Sequence, residues 1–107
     1  MNYFLYKLIP PRVDFDRTMS EREQAAMSQH IGYWSGLTDE GTALVFGPVA
    51  DPAGVWGLAI VAAESEDDVC QFGNSDPVVS AGIARYEVYA MPSAVVSDSA
   101  TARPGAP

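Results

Sequence analysis

Apolar and polar positions recur along the chain in a pattern that predicts four strands and two helices. Residues Tyr3 to Ile9 (Tyr-Phe-Leu-Tyr-Lys-Leu-Ile) make a short aromatic and branched run that Pro10 and Pro11 stop, which predicts a first strand. Its alternation puts Tyr3, Leu5 and Ile9 on one face and Phe4, Tyr6 and Leu8 on the other. The stretch from Pro10 to Met19 follows neither the helical nor the strand period and reads as a long connection in which Asp14 and Asp16 stand near a gate or in solvent. Ser20-Glu21-Arg22-Glu23 fits a capping box, so a first helix starts there. It continues through a stripe of Met27, His30, Ile31, Trp34 and Leu37 and ends near Gly41.

Two further apolar runs, Thr42 to Val49 and Gly54 to Ala63, flank the turn residues Ala50-Asp51-Pro52-Ala53 and predict a hairpin. Ser65 followed by Glu66, Asp67 and Asp68 is a cap with acids in the first turn of a short second helix carrying Val69, Cys70 and Phe72. Asn74-Ser75-Asp76-Pro77 breaks it, a brief turn follows from Val78 to Gly82, and Ile83 to Met91 alternates as a last strand. The order β-α-β-β-α-β predicts an α+β, ferredoxin-like domain over residues 1–92, with a four-stranded antiparallel sheet and a tail without fixed structure at 93–107. Two helices cover one face of such a sheet. Because the first and third strands are apolar on both faces, a homodimer is expected to cover the other.

Composition narrows the chemistry. With 107 residues and 48% hydrophobic side chains, the chain closes one core. A net charge of −8 disfavours nucleic acid and anionic membranes as partners. No apolar run reaches the ~18 residues of a membrane span, and the start lacks the basic region and cleavage site of a signal peptide, so a cytoplasmic location is expected. A single cysteine and a single histidine exclude an internal disulfide and a Cys/His zinc set, and no metal or cofactor is expected. Cys70 follows two acids that oppose a thiolate and reads as a core residue.

The remaining candidates are carboxylates, hydroxyls and one imidazole. His30 lies inside the helical stripe, one turn after Met27 and one turn before Trp34, so it faces inward and needs a partner. Position alone leaves it two roles, hydrogen-bonded core residue or catalytic base. Asp76, in the Asp-Pro turn before the last strand, is either a turn cap or that partner. If they meet, the carboxylate fixes the ring tautomer and the free nitrogen can accept a proton. Ser75 and Ser80 read as ordinary turn residues.

Four blocks carry a resemblance: Tyr3 to Arg12, Met27-Ser28-Gln29-His30-Ile31-Gly32-Tyr33-Trp34, Val45 to Gly57, and Asp76-Pro77-Val78-Val79. Together, over residues 2 to 92, they resemble YCII-related (YciI-like) proteins. The resemblance implies a ferredoxin-like fold that dimerises into an α+β barrel, similar to muconolactone isomerases. It also implies an active-site pair of a helix histidine and an Asp-Pro aspartate, matching His30 and Asp76, and lyase chemistry such as dehydrochlorination of a chlorinated hydroxyhydroquinone. The expected function is a cofactor-free lyase or isomerase acting on a small aromatic or enolisable ligand, with His30 as base and Asp76 orienting it. Tyr33, Trp34, Phe46 and Trp56 are then candidate pocket residues, or plain core, and Arg12 is a candidate counter-charge for an anionic substrate, or a solvated cation. A non-catalytic dimer binding a metabolite in the same cavity is the second reading. A haem-degrading or oxygen-using monooxygenase is weaker, since one histidine would have to serve every purpose.

Overall fold

Pro10 and Pro11 close a first strand, β1 (Asn2–Ile9), in a computed structural model that describes residues 1–98. The following loop contains a single turn of helix, α1 (Phe15–Thr18), and leads to the long helix α2 (Glu21–Asp39). A hairpin of β2 (Ala43–Val49) and β3 (Trp56–Ala63) precedes α3 (Glu66–Ser75), the short α4 (Pro77–Ser80) and β4 (Arg85–Ala90). The strands pair antiparallel in the order β2-β3-β1-β4, the α+β arrangement expected from the pattern. Among the described residues no helix is long and apolar enough to cross a membrane. The expected tail from residue 93 lies mostly outside the described residues, from 99 to 107.

Local chemistry sets the element ends. Ser20 accepts from the Glu23 amide at 3.2 Å while the Glu23 carboxylate accepts from the Ser20 amide at 2.9 Å, so two orphan donors of α2 are satisfied at its start. Gly41, at φ +85°, takes the left-handed turn that follows the helix. Ser65 caps α3 through the Asp68 amide. The segment expected as a plain turn after Asp76 is instead helix α4, because Asp76 caps it through the Val78 amide and Pro77 sits at its first position.

The loop expected to be irregular also holds a turn of helix. Phe15 is buried there, and Arg12 ties both ends of the loop together, donating from Nε and Nη2 to Thr18 at 2.9 and 2.7 Å.

In β1, Phe4, Tyr6 and Leu8 are buried, and the register places them opposite Val61, Ala59 and Gly57 of β3. This is the face that α2 and α3 cover. Leu5, opposite Ile60 and Tyr89, points to the other face, where Lys7 places its ammonium 4.8 Å from the Trp56 ring centre. Val45 and Tyr89 on that face are each 51% exposed. On the covered face a Cβ at Gly73 would lie 2.7 Å from the Tyr86 ring, so only glycine lets α3 approach β4 here. Tyr86 in turn stacks on Tyr6, ring centres 5.3 Å apart, which fixes the wall behind the site.

Candidate active site

Asp76 is fully buried, an expensive place for a carboxylate unless its oxygens are occupied. They are. Oδ1 lies 2.9 Å from His30 Nδ1 and accepts from the Val78 amide at 3.2 Å. Oδ2 accepts from the Trp34 indole at 2.8 Å and the Tyr6 hydroxyl at 3.0 Å, and lies 3.0 Å from His30 Nδ1. Three elements converge here: Tyr6 from the covered face of β1, His30 and Trp34 one turn apart on the buried stripe of α2, and Asp76 from the break between α3 and α4. Tyr6 and Trp34 also pack ring to ring, centres 4.7 Å apart, which holds both donors in place.

Burial pushes the Asp76 carboxyl up, but the donors outweigh it, His30 first and then Trp34 and Tyr6, and hold it below the ordinary carboxylate value. Burial, with the Asp76 charge beside it, pushes the Tyr6 hydroxyl far above its usual range, so Tyr6 remains a donor. An ionised carboxylate only accepts, so His30 Nδ1 carries the hydrogen in this contact and a neutral ring has its lone pair on Nε2. Among the described residues Nε2 has no hydrogen-bond partner and is not sealed off; His30 stands on the wall of a cavity of about 210 Å³. A cavity of ~150 Å³ holds benzene, so this one fits a single substituted ring.

Trp34, Phe46 and Trp56 line the cavity, with Leu8, Phe15 and Met27 among its other apolar walls. Tyr33 does not. It meets Trp34 edge-on at 5.7 Å and donates to the Phe72 carbonyl at 2.7 Å, behind the site. Arg12 is not among the residues lining the cavity either. Its Nη1 and Nη2 donate to the two Glu23 oxygens at 2.9 and 2.7 Å, and this pairing holds the Glu23 carboxyl down at about 2. Sequence reasoning missed Tyr6 as a ligand of the carboxylate, although its inward position on the first strand was the available signal. Asp16, from the α1 turn, stands on the cavity wall. Cys70 is partly buried on α3, and the Ser80 hydroxyl donates to the Pro77 carbonyl at 3.3 Å.

Fold and site together define a ferredoxin-like α+β protein with a buried carboxylate–imidazole pair opening onto an apolar cavity. The chain belongs to the YCII-related domain family, whose match spans residues 1–92. No curated protein is a significant match. Among solved structures the chain is similar to the 5-chloro-2-hydroxyhydroquinone dehydrochlorinase TftG from Burkholderia phenoliruptrix AC1100, in its complex with 2,5-dihydroxybenzoquinone. That similarity has a TM-score of 0.60 at 21% identity and covers 80% of this chain and 89% of the other, a likeness of fold.

Proposed function

We propose that His30 and Asp76 form a general-base dyad that removes a proton from a small one-ring molecule in a lyase or isomerase reaction. The observation that carries this reading is the division of the imidazole: Nδ1 is held on the buried carboxylate and Nε2 is left to the cavity. In an elimination, the substrate proton goes to Nε2, the electron pair it leaves forms the new π bond, and the leaving group departs with its own pair. In an isomerisation the same proton returns to a different atom. Asp76 stabilises the imidazolium formed in either case and does not itself take the proton. The dehydrochlorinase of similar fold, complexed with a dihydroxybenzoquinone, supports a ring substrate and elimination.

The test is Asp76→Asn, because the donors around the carboxylate dictate how an amide would sit. Trp34 can only donate, so the amide oxygen must take the Oδ2 position, which turns the amide nitrogen toward His30 Nδ1 and the Val78 amide. His30 then favours the tautomer with its hydrogen on Nε2 and no longer offers a base to the cavity. Nitrogen NMR of the chain's one histidine is expected to show Nδ1–H in the wild type and a shift toward Nε2–H in the variant. Turnover of chlorinated hydroquinones or enolisable one-ring compounds should fall by about 100-fold or more with it. An unchanged tautomer, or unchanged turnover, counts against the dyad.

The homodimer belongs to the same reading. Leu5, Leu58, Ile60 and the half-exposed Val45 and Tyr89 give the open sheet face an apolar centre suited to a second copy. Light scattering is expected to give twice 11.4 kDa for the wild type and the single mass for Ile60→Lys. A monomeric wild type overturns it.

A further inference from the structure

The charges around the cavity carry an inference about which ring it takes. Among the described residues no lysine or arginine lines it. Arg12 spends its guanidinium on Glu23 and Thr18, and the Lys7 ammonium lies 4.8 Å from the Trp56 ring centre. The acidic groups at the cavity are Asp76, behind His30, and Asp16, on the wall. Among the described residues Asp16 forms no side-chain hydrogen bond or ion pair.

The sign of the chemistry agrees. When a neutral substrate gives its proton to a neutral His30, the products are a substrate anion and an imidazolium, which attract each other and leave the net charge of the site unchanged. A substrate that arrives as an anion would become a dianion with only that imidazolium to neutralise it. It would also lose its hydration to an apolar wall that has no lysine or arginine among the described residues.

Resting on the reading of this cavity as a substrate site, we propose that it selects uncharged one-ring molecules, and that Asp16 is the specificity residue that rejects ring carboxylates. Asp16 acts at the wall by charge and does not take part in proton transfer. Two unit charges several ångströms apart near a protein surface are worth about tenfold in affinity.

The experiment reads binding, so it does not depend on turnover. The indole N–H signals of Trp34 and Trp56, the chain's two tryptophans and both on the cavity wall, are followed by NMR during titration at pH 7. The probes are hydroquinone, which is neutral, and 4-hydroxybenzoate, which carries a carboxylate. Wild type is expected to bind hydroquinone at least about tenfold more tightly. Asp16→Asn should reduce that ratio several-fold, and Asp16→Lys should reduce it further; Asp16 is exposed, so both variants should fold. Equal binding of the two probes, a ratio indifferent to residue 16, or no binding of either probe overturns the proposal. The dyad is judged separately: charge-selective binding with turnover indifferent to His30 would retain this inference and remove the base. Loss of turnover in His30 variants without charge selectivity would do the reverse.

Discussion

Replacing Asp76 by leucine is expected to lower the stability of the domain by about 3–5 kcal/mol, because the carboxylate is the common acceptor of a buried cluster. Leucine matches its shape and removes every oxygen. The Trp34 indole and Tyr6 hydroxyl, both on residues 1% exposed, then have no acceptor in place, and each buried unsatisfied donor costs about 1–3 kcal/mol. The Val78 amide at the start of α4 loses its cap as well, worth ~1 kcal/mol. Typical domains hold only about 5–15 kcal/mol in total, so the variant should unfold at a much lower urea concentration with little change in the slope of the transition.

The pH dependence gives an independent reading of the same carboxylate. Its folded value is depressed below the ordinary 3.8, so its contribution is complete above that value and is lost as pH falls below it through the folded value. Wild type should therefore lose stability on the acid side, and the leucine variant should lack that component of the slope. A cost within about 1 kcal/mol of zero, close to the roughly 0.5 kcal/mol of a typical surface substitution, would mean that the cluster is not held by Asp76.

Much of this arrangement is legible in the sequence because alternation and capping are local. The alternation in Tyr3 to Ile9 gives the faces of β1 directly, and Ser20 with Glu23 marks the first turn of α2. The one-turn helix at Phe15 is not legible, since four residues among prolines, aspartates and arginines carry no helical period. The Arg12–Glu23 pairing is not legible for a related reason. Glu23 is fully explained as a capping residue, yet its Oε1 accepts from both the Ser20 amide and Arg12, and nothing local announces the second contact.

Tyr33 shows how sharply helical phase decides. It lies about 100° around α2 from Trp34, enough to turn it from the cavity to the Phe72 carbonyl. Asp76 and His30 are 46 residues apart, so their meeting depends on the tertiary fold, and before the structure only the family resemblance joins them. Tyr6 is the least legible member. An inward aromatic on a strand looks the same from sequence whether its hydroxyl is spare or, as here, 3.0 Å from a carboxylate 70 residues away.

The largest catalytic effect is expected at His30. His30→Gln should reduce turnover by about 10²- to 10⁴-fold, the usual contribution of a positioned general base. Fold should persist, because the glutamine amide can donate to Asp76 in place of Nδ1, and the Trp34, Tyr6 and Val78 donors are untouched. What the amide lacks is a basic lone pair toward the cavity, so the variant separates catalysis from support of the carboxylate. His30→Ala makes the argument from the other side. It removes the ring and leaves a gap beside the Asp76 oxygens and open to the cavity, where added imidazole can donate an N–H to the carboxylate as Nδ1 does. Turnover in His30→Ala should then rise with imidazole concentration, whereas His30→Gln, whose side chain fills the gap, should respond little. Undiminished turnover in both variants, with urea midpoints near wild type, would remove His30 as the base and leave it a recognition group.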